Sequence, residues 1–209
     1  EARCLHHVDR RRHHRDDDLI AIQEHVQFVV TGLCSERAQF AQRPVQIVGG
    51  GFARDCYDAV KKNRLTASRA LQLCDLALEQ ETLSPTNRAA TYINRGILYM
   101  RQQSHQRAMK DYEDAVAIMP DMPEAKINLG AVFYYLGRYP EALAALNEGV
   151  NVPDIEARAA AYYNRALTHE RMGNLEAAYA DYSQALAVQP DFELASKRLR
   201  RFTRVSEAS

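Results

Sequence analysis

The chain has 209 residues, enough for one medium domain or for a domain with a tail. Its 27 lysine and arginine residues balance 27 aspartate and glutamate residues, so no net charge draws the whole chain to nucleic acid or to an anionic membrane. Only 9 glycines, among many alanine, leucine, arginine and glutamate residues, favour helices over sheets.

No apolar run approaches the length of about 18 residues that a membrane-spanning helix needs. The best candidate runs from Leu19 to Val30, and Glu24 and His25 interrupt it. The sequence therefore predicts no integral membrane segment.

Residues 1–50 are predicted to form an N-terminal tail that is partly disordered. Residues 10–18 consist of basic residues, two histidines and then three aspartates, which is typical of a solvated charge run. The histidine pairs at 6–7 and 13–14 would bind a metal only in a fixed geometry, so no metal site is predicted. Two interpretations of residues 19–33 stay open, an amphipathic helix and a degenerate leader.

Three segments from residue 89 onward share one pattern of small, bulky and polar residues. Each has an asparagine two residues before a small residue, and the small residues recur after 34 and 36 residues. An alanine follows 12 residues later, a bulky residue four residues after that, and a proline near the end. The matching sets are Asn94, Gly96, Ala108, Tyr112 and Pro120; Asn128, Gly130, Ala142, Leu146 and Pro153; and Asn164, Ala166, Ala178, Tyr182 and Pro190.

This pattern resembles the tetratricopeptide repeat (TPR) family over about half of the chain. The resemblance implies an all-α fold, a TPR superhelix or α-solenoid of antiparallel helical hairpins with a C-terminal capping helix. It places the three repeats at residues 89–122, 123–158 and 159–192. Before them, Ala70, Cys74 and Ala77 have the spacing of a second repeat helix, which predicts a degenerate N-terminal hairpin at residues 51–88.

Residues 193–209 are predicted to form the capping helix and a tail. Leu194, Leu199 and Phe202 can line one face of this helix. The basic residues between them are expected to face solvent, and contact with nucleic acid is the alternative. They are Lys197, Arg198, Arg200 and Arg201.

Two of the four cysteines are candidates for a disulfide. In the register that the family implies, Cys56 and Cys74 lie on the two helices of the N-terminal hairpin at positions that face each other. A disulfide here would imply an oxidising compartment such as a bacterial periplasm, which we favour slightly over the cytoplasm. The alternative is a pair of buried thiols in a cytosolic protein.

The first helix of each repeat lines the concave groove in the TPR family. The side chains predicted to form a peptide-binding groove are Ile93, Asn94, Ile97, Ile127, Asn128, Ala131, Tyr134, Tyr163, Asn164 and Leu167. Such an apolar concavity, if exposed, usually has a partner. The three asparagines form a ladder that can either bind the backbone of an extended peptide or tie neighbouring helices together. Alternatively, the helix at residues 19–33 folds into the groove.

One known binding mode of the family is not expected here. Chaperone-binding TPR domains hold a C-terminal carboxylate in a two-carboxylate clamp of lysine, arginine and asparagine. The five corresponding positions hold Ile93, Ile97, Asn128, Ala160 and Asn164, and only Asn128 matches. We predict no clamp of this kind.

These features predict a non-enzymatic scaffold or adaptor that binds another protein or a peptide and needs no cofactor. The resemblance extends to small bacterial TPR proteins. The triglycine at residues 49–51 lacks the Gly-Lys-Ser/Thr of a phosphate loop, and no nucleophile with a partner base stands on a predicted helix. The alternative is a structural protein that self-assembles by stacking its repeat ends.

Overall fold

A computed structural model of the chain describes residue 42 and residues 44–206, with side chains up to residue 202. The charge run and the helix or leader predicted at residues 19–33 lie outside the described residues. Within the described part, the elements are helices: α1 (Phe52–Lys62), α2 (Ala67–Gln80), α3 (Pro85–Arg101), α4 (His105–Ile118), α5 (Pro123–Tyr135), α6 (Tyr139–Gly149), α7 (Ile155–Arg171), α8 (Leu175–Val188) and α9 (Glu193–Ser206).

Consecutive helices pair into the four hairpins α1–α2, α3–α4, α5–α6 and α7–α8, and α9 packs on α8. The helices α1, α3, α5 and α7 also contact one another in chain order, so they form one layer. This is the all-α superhelix of hairpins that the repeat pattern predicts. None of the helices in the described part is both long and apolar enough to cross a lipid bilayer.

Turn and cap residues set the helix ends. Gly137 and Gly173, with φ of +75° and +80°, provide the left-handed backbone between the two helices of their repeats. Pro140 is the second residue of α6, where its missing N–H costs nothing. The Asp154 carboxylate accepts a hydrogen bond from the Ala157 N–H at 2.6 Å and so caps α7.

Glycines allow close approaches between helices, and two of them illustrate this. A Cβ on Gly96 would lie 2.4 Å from the ring of Tyr112, and one on Gly149 would lie 2.8 Å from Ile127 Cγ1. Both contacts are shorter than van der Waals packing allows. The contact of Gly149 with Ile127 joins α6 to α5, so Gly149 admits a close neighbour in the middle repeat.

Arg95 joins the two helices of the first repeat through a buried ion pair and reaches the hairpin before it through a more exposed one. Arg95 donates from Nε and Nη2 to both carboxylate oxygens of Asp111, at 2.9 and 2.7 Å, and from Nη1 to Asp75 at 2.8 Å. The Asp111 side chain is only 4% exposed. Burial disfavours the charged guanidinium, but the hydrogen bonds and charges of the two aspartates outweigh it and raise the pKa of Arg95.

The third repeat repeats this arrangement. Arg165 forms the same two-pronged pair with Asp181, at 2.7 and 2.6 Å, and reaches Asn147 of the middle repeat at 2.8 Å. The middle repeat has Leu129 and Ala145 at the matching positions. The same pair of positions therefore holds charged residues in the first and third repeats and apolar residues in the middle one.

The first hairpin is covalently closed. Cys56 on α1 and Cys74 on α2 form a disulfide, with an S–S distance of 2.11 Å and a sequence separation of 18. Both residues are fully buried, so the bridge lies in the core of this small hairpin.

The terminal helix α9 covers the apolar end of the third repeat. Leu194, Leu199 and Phe202 pack against the cluster that contains Tyr182. The expectation that Arg198 faces solvent is wrong, because its side chain is buried with Nη1 3.4 Å from Glu170 Oε1. Arg198 stands four residues from both Leu194 and Phe202, which places it on their face of the helix.

Candidate functional site

The predicted groove residues lie on the α3, α5 and α7 layer, but the expectation that they form an exposed surface is wrong for most of them. Tyr134 is half-buried, and burial raises the pKa of its phenol. The other nine are at most 2% exposed: Ile93, Asn94, Ile97, Ile127, Asn128, Ala131, Tyr163, Asn164 and Leu167. Their contribution to binding stays a prediction.

The structure distributes these apolar groove residues over three packed clusters. Ile93 and Ile97 pack with residues of the first hairpin, including Cys56 and Val60. Ile127 packs with Leu146, Val150, Ala157 and Ala161. The remaining four, Ala131, Tyr134, Tyr163 and Leu167, belong to the cluster beneath α9.

The described part of the groove holds an extended segment of the chain itself. Residues 44–48, which we call the strap, precede α1 and contact α3. The Asn94 side chain binds Val45 in both directions: Oδ1 accepts from the Val45 N–H at 2.9 Å, and Nδ2 donates to the Val45 carbonyl at 2.8 Å. One member of the predicted asparagine ladder therefore binds extended backbone.

A second asparagine repeats this contact one step along the strap. Asn87 Nδ2 donates to the Val48 carbonyl at 2.9 Å, and the Val48 N–H lies 3.4 Å from Asn87 Oδ1. Seven helical residues separate the two asparagines, a rise of about 10.5 Å. Three residues of extended chain span about 10 Å, so the strap runs antiparallel to α3 with matching spacing.

Asn87 belongs to the site because α3 starts earlier than the sequence predicts. α3 begins at Pro85, four residues before the predicted start of the first repeat at residue 89. Ser84 caps the added turn, since its Oγ accepts from the Asn87 N–H at 3.2 Å. A serine followed by a proline is the sequence signal for such a helix start.

Between the two asparagines, the strap inserts one side chain into the fold. Ile47 is 1% exposed, and Ala53, Tyr57, Ala77 and Ala90 surround it. We call these four residues the Ile47 pocket; they come from α1, α2 and α3. The Ile47 carbonyl also accepts a hydrogen bond from Arg54 Nη1 at 2.9 Å.

The start of α1, just after the strap, has its own anchor. The Glu81 carboxylate accepts the N–H groups of Phe52 and Ala53, the latter at 3.1 Å. A carboxylate at a helix N-terminus is favourable because the free N–H groups and the helix dipole carry positive charge there. Gly51 leaves room for it, since a Cβ at that residue would lie 2.1 Å from Glu81 Oε1.

The fold and this site together define an α-helical repeat protein that binds extended backbone. Two models of the tetratricopeptide repeat match the chain, over residues 99–161 and 159–192. The chain is a tetratricopeptide-repeat protein.

Curated relatives share the repeats at moderate identity. Tetratricopeptide repeat protein 16 of Macaca fascicularis is 30% identical over 142 residues, which cover 62% of this chain and 16% of that protein. The photosystem I assembly protein Ycf3 of Synechococcus sp. (strain CC9902) is 36% identical over 74 residues, 35% of this chain and 42% of that protein. This chain thus spans between 16% and 22% of the length of the tetratricopeptide repeat protein 16 relatives.

Solved structures show the same fold. PilW, a type IV pilus biogenesis factor, matches with a TM-score of 0.64 and 22% identity, covering 74% of this chain and 69% of its own. The first TPR domain of Spaghetti (RPAP3), bound to an HSP90 peptide, matches with a TM-score of 0.51 and 23% identity. The match covers 59% of this chain and 94% of that domain. At these identities the likeness concerns the fold alone.

Proposed function

We propose that this chain is a non-enzymatic interaction scaffold or adaptor that binds a peptide or helix of another protein in its concave groove. The observation that carries the proposal is the double hydrogen bond between the Asn94 amide and the backbone of Val45, at 2.9 and 2.8 Å. An amide that uses its donor and its acceptor in this way binds extended chain whatever its side chains are.

Related proteins support a role in interaction. The RPAP3 domain with this fold is bound to an HSP90 peptide, and the name of Ycf3 describes an assembly protein. The strap is held by side-chain amides, apolar side chains and the Arg54 guanidinium, which are groups suited to binding a peptide. The proposal therefore includes no catalysis and no cofactor.

The compartment is a second part of the proposal. A buried disulfide persists where the surroundings are oxidising, and the Cys56–Cys74 bridge is such a disulfide. We propose an oxidising compartment such as a bacterial periplasm in preference to the cytoplasm.

Selection of a displayed random-peptide library on the full-length chain tests the binding function. We expect enriched peptides to lose about tenfold in affinity on Asn94→Ala, since two hydrogen bonds to the peptide backbone are removed. Glu113→Ala, at an exposed position of α4, is the matched control and should leave affinity unchanged. Failure to enrich any peptide would contradict the assignment of the binding site to the groove. Equal affinities of the wild type and Asn94→Ala would contradict it as well.

The peptide SRMEEVD, which the RPAP3 structure holds, is expected not to bind in the groove of this chain. Two carboxylates that lose water need cationic partners, and the apolar Ile93, Ile97 and Ala160 occupy clamp positions instead. Fluorescence anisotropy with the labelled peptide measures this. A saturable signal that disappears when the C-terminal carboxylate is amidated would contradict the prediction.

A further inference from the structure

We propose that the strap is a displaceable internal occupant of the peptide site, and that the external partner is an extended segment with the same apolar–polar–apolar pattern. This inference rests on the proposed function and deepens it.

The strap makes the contacts of a bound peptide rather than those of a core strand. Its backbone bonds go to the side-chain amides of Asn94 and Asn87, Ile47 fills a pocket, and Val45 packs partly buried beside it. Gln46 is exposed and Val48 is 80% exposed. An external peptide could therefore take the place of the strap if it carried an apolar residue at the first and third positions.

The connection between the strap and α1 allows the strap to leave. A Cβ built on Gly49 or Gly50 meets no atom within 4 Å, so this link runs through open space. Gly49 has a φ of +109°, and glycine adopts both signs of φ without steric cost. The link can therefore change direction without disturbing its neighbours.

The hairpin below the strap is held independently of it. Glu81 binds the first N–H groups of α1, and the Cys56–Cys74 disulfide fastens α1 to α2. Release of the strap therefore empties the Ile47 pocket without separating α1 from α2, two of the three helices that line it.

A tethered occupant lowers the apparent affinity for any competitor. A short flexible link gives an effective concentration in the millimolar range, so a peptide with the sequence of the strap should bind the intact chain about tenfold more weakly, or worse, than a chain whose strap is released. The partner gains access by binding better than the strap or at high local concentration.

The test uses the full-length chain and a fluorescein-labelled peptide with the sequence of residues 43–50. Ile47→Asp releases the strap by placing a charge in an apolar pocket, and Val45→Pro removes the N–H that Asn94 binds. Both variants should bind the peptide about tenfold more tightly than the wild type. Gln46→Ala, in the exposed middle of the strap, is the control and should behave as wild type.

Adding Asn94→Ala to Ile47→Asp should abolish the gained binding. The inference is overturned if both released variants bind no better than wild type, or if both fail to fold, since the strap is then a permanent part of the structure. Dimers that grow with concentration in light scattering, with the strap of one copy in another, would assign the site to a second copy and also overturn it.

The outcomes separate this inference from the proposed function. If library peptides bind the wild type through Asn94 while the strap variants gain nothing, the strap inference alone fails. If the strap peptide binds the released variants but the library yields no binder to any form, the proposed function fails.

Discussion

Replacing Asp111 by alanine is expected to lower the free energy of unfolding by about 3–5 kcal/mol, the usual loss when one partner of a buried ion pair is removed. Arg95 would keep its charge and most of its burial, but its remaining carboxylate would be Asp75, which is 41% exposed. A guanidinium that has lost water needs more compensation than one half-solvated carboxylate supplies. Urea unfolding followed by circular dichroism measures the change.

The middle repeat provides the control for this prediction. The double variant Arg95→Leu/Asp111→Ala copies Leu129 and Ala145 and removes both charges together. It should recover most of the stability lost in Asp111→Ala, because an apolar pair of this size carries no desolvation penalty. A double variant as unstable as the single one would mean that packing, and not the unpaired charge, causes the loss.

The repeats are predictable from sequence because their packing is periodic. Gly96 must be small because the ring of Tyr112 lies against it, and the same pair of positions recurs as Ala166 and Tyr182. Each such requirement appears three times at a nearly constant spacing, so the pattern stands out from composition. The Cys56–Cys74 pairing follows from the same register, extended backward by one hairpin.

The strap is not predictable in this way, because nothing about it repeats. Its contacts join Val45 to Asn94 and Val48 to Asn87, residues that are 49 and 39 positions apart. They use backbone groups, which every residue has, so the side chains of the strap carry almost no signal. Ile47 is buried and Val45 is partly buried, but two apolar side chains two positions apart are too short a pattern to stand out from a loop.

The burial of the groove residues is likewise not predictable from the repeat pattern. Family positions place Ile93, Asn94 and Ile97 on the concave layer, but they do not tell what covers that layer. For Asn94 the cover is the backbone of Val45. In the first repeat, an intramolecular ligand thus turns part of the predicted groove into packed interior.

Because the strap binds partly on α1 and α2, the disulfide that joins these two helices also supports the peptide site. Two of the three helices that line the Ile47 pocket are α1 and α2, and their hairpin is only about 30 residues long. A hairpin of this size buries too little apolar surface to be stable alone. The bridge between Cys56 and Cys74 therefore supports the pocket as well as the end of the superhelix.

Reduction of the disulfide is expected to destabilise this hairpin by about 3 kcal/mol, the chain-entropy value for a closed loop of 15 to 20 residues. Amide exchange should accelerate in α1, α2 and the strap, while α7 and α8 should exchange as before, since no contact of the bridge reaches them. Hydrogen–deuterium exchange with and without reductant measures this, and peptide mapping should assign a mass increase of about 2 Da to Cys56 and Cys74 on reduction.

The double variant Cys56→Ala/Cys74→Ala is the control, because it should exchange rapidly in the same helices whether or not reductant is present. Equal acceleration in α7 and α8 would show that reduction loosens all the helices. The prediction that the destabilisation is confined to the first hairpin and the strap would then be wrong. Unchanged exchange in α1 would show that the Glu81 cap and the packing of Ile47 suffice without the bridge. If the prediction is met, the strength of peptide binding at Asn94 becomes sensitive to redox conditions, since the same hairpin carries the pocket that the strap occupies.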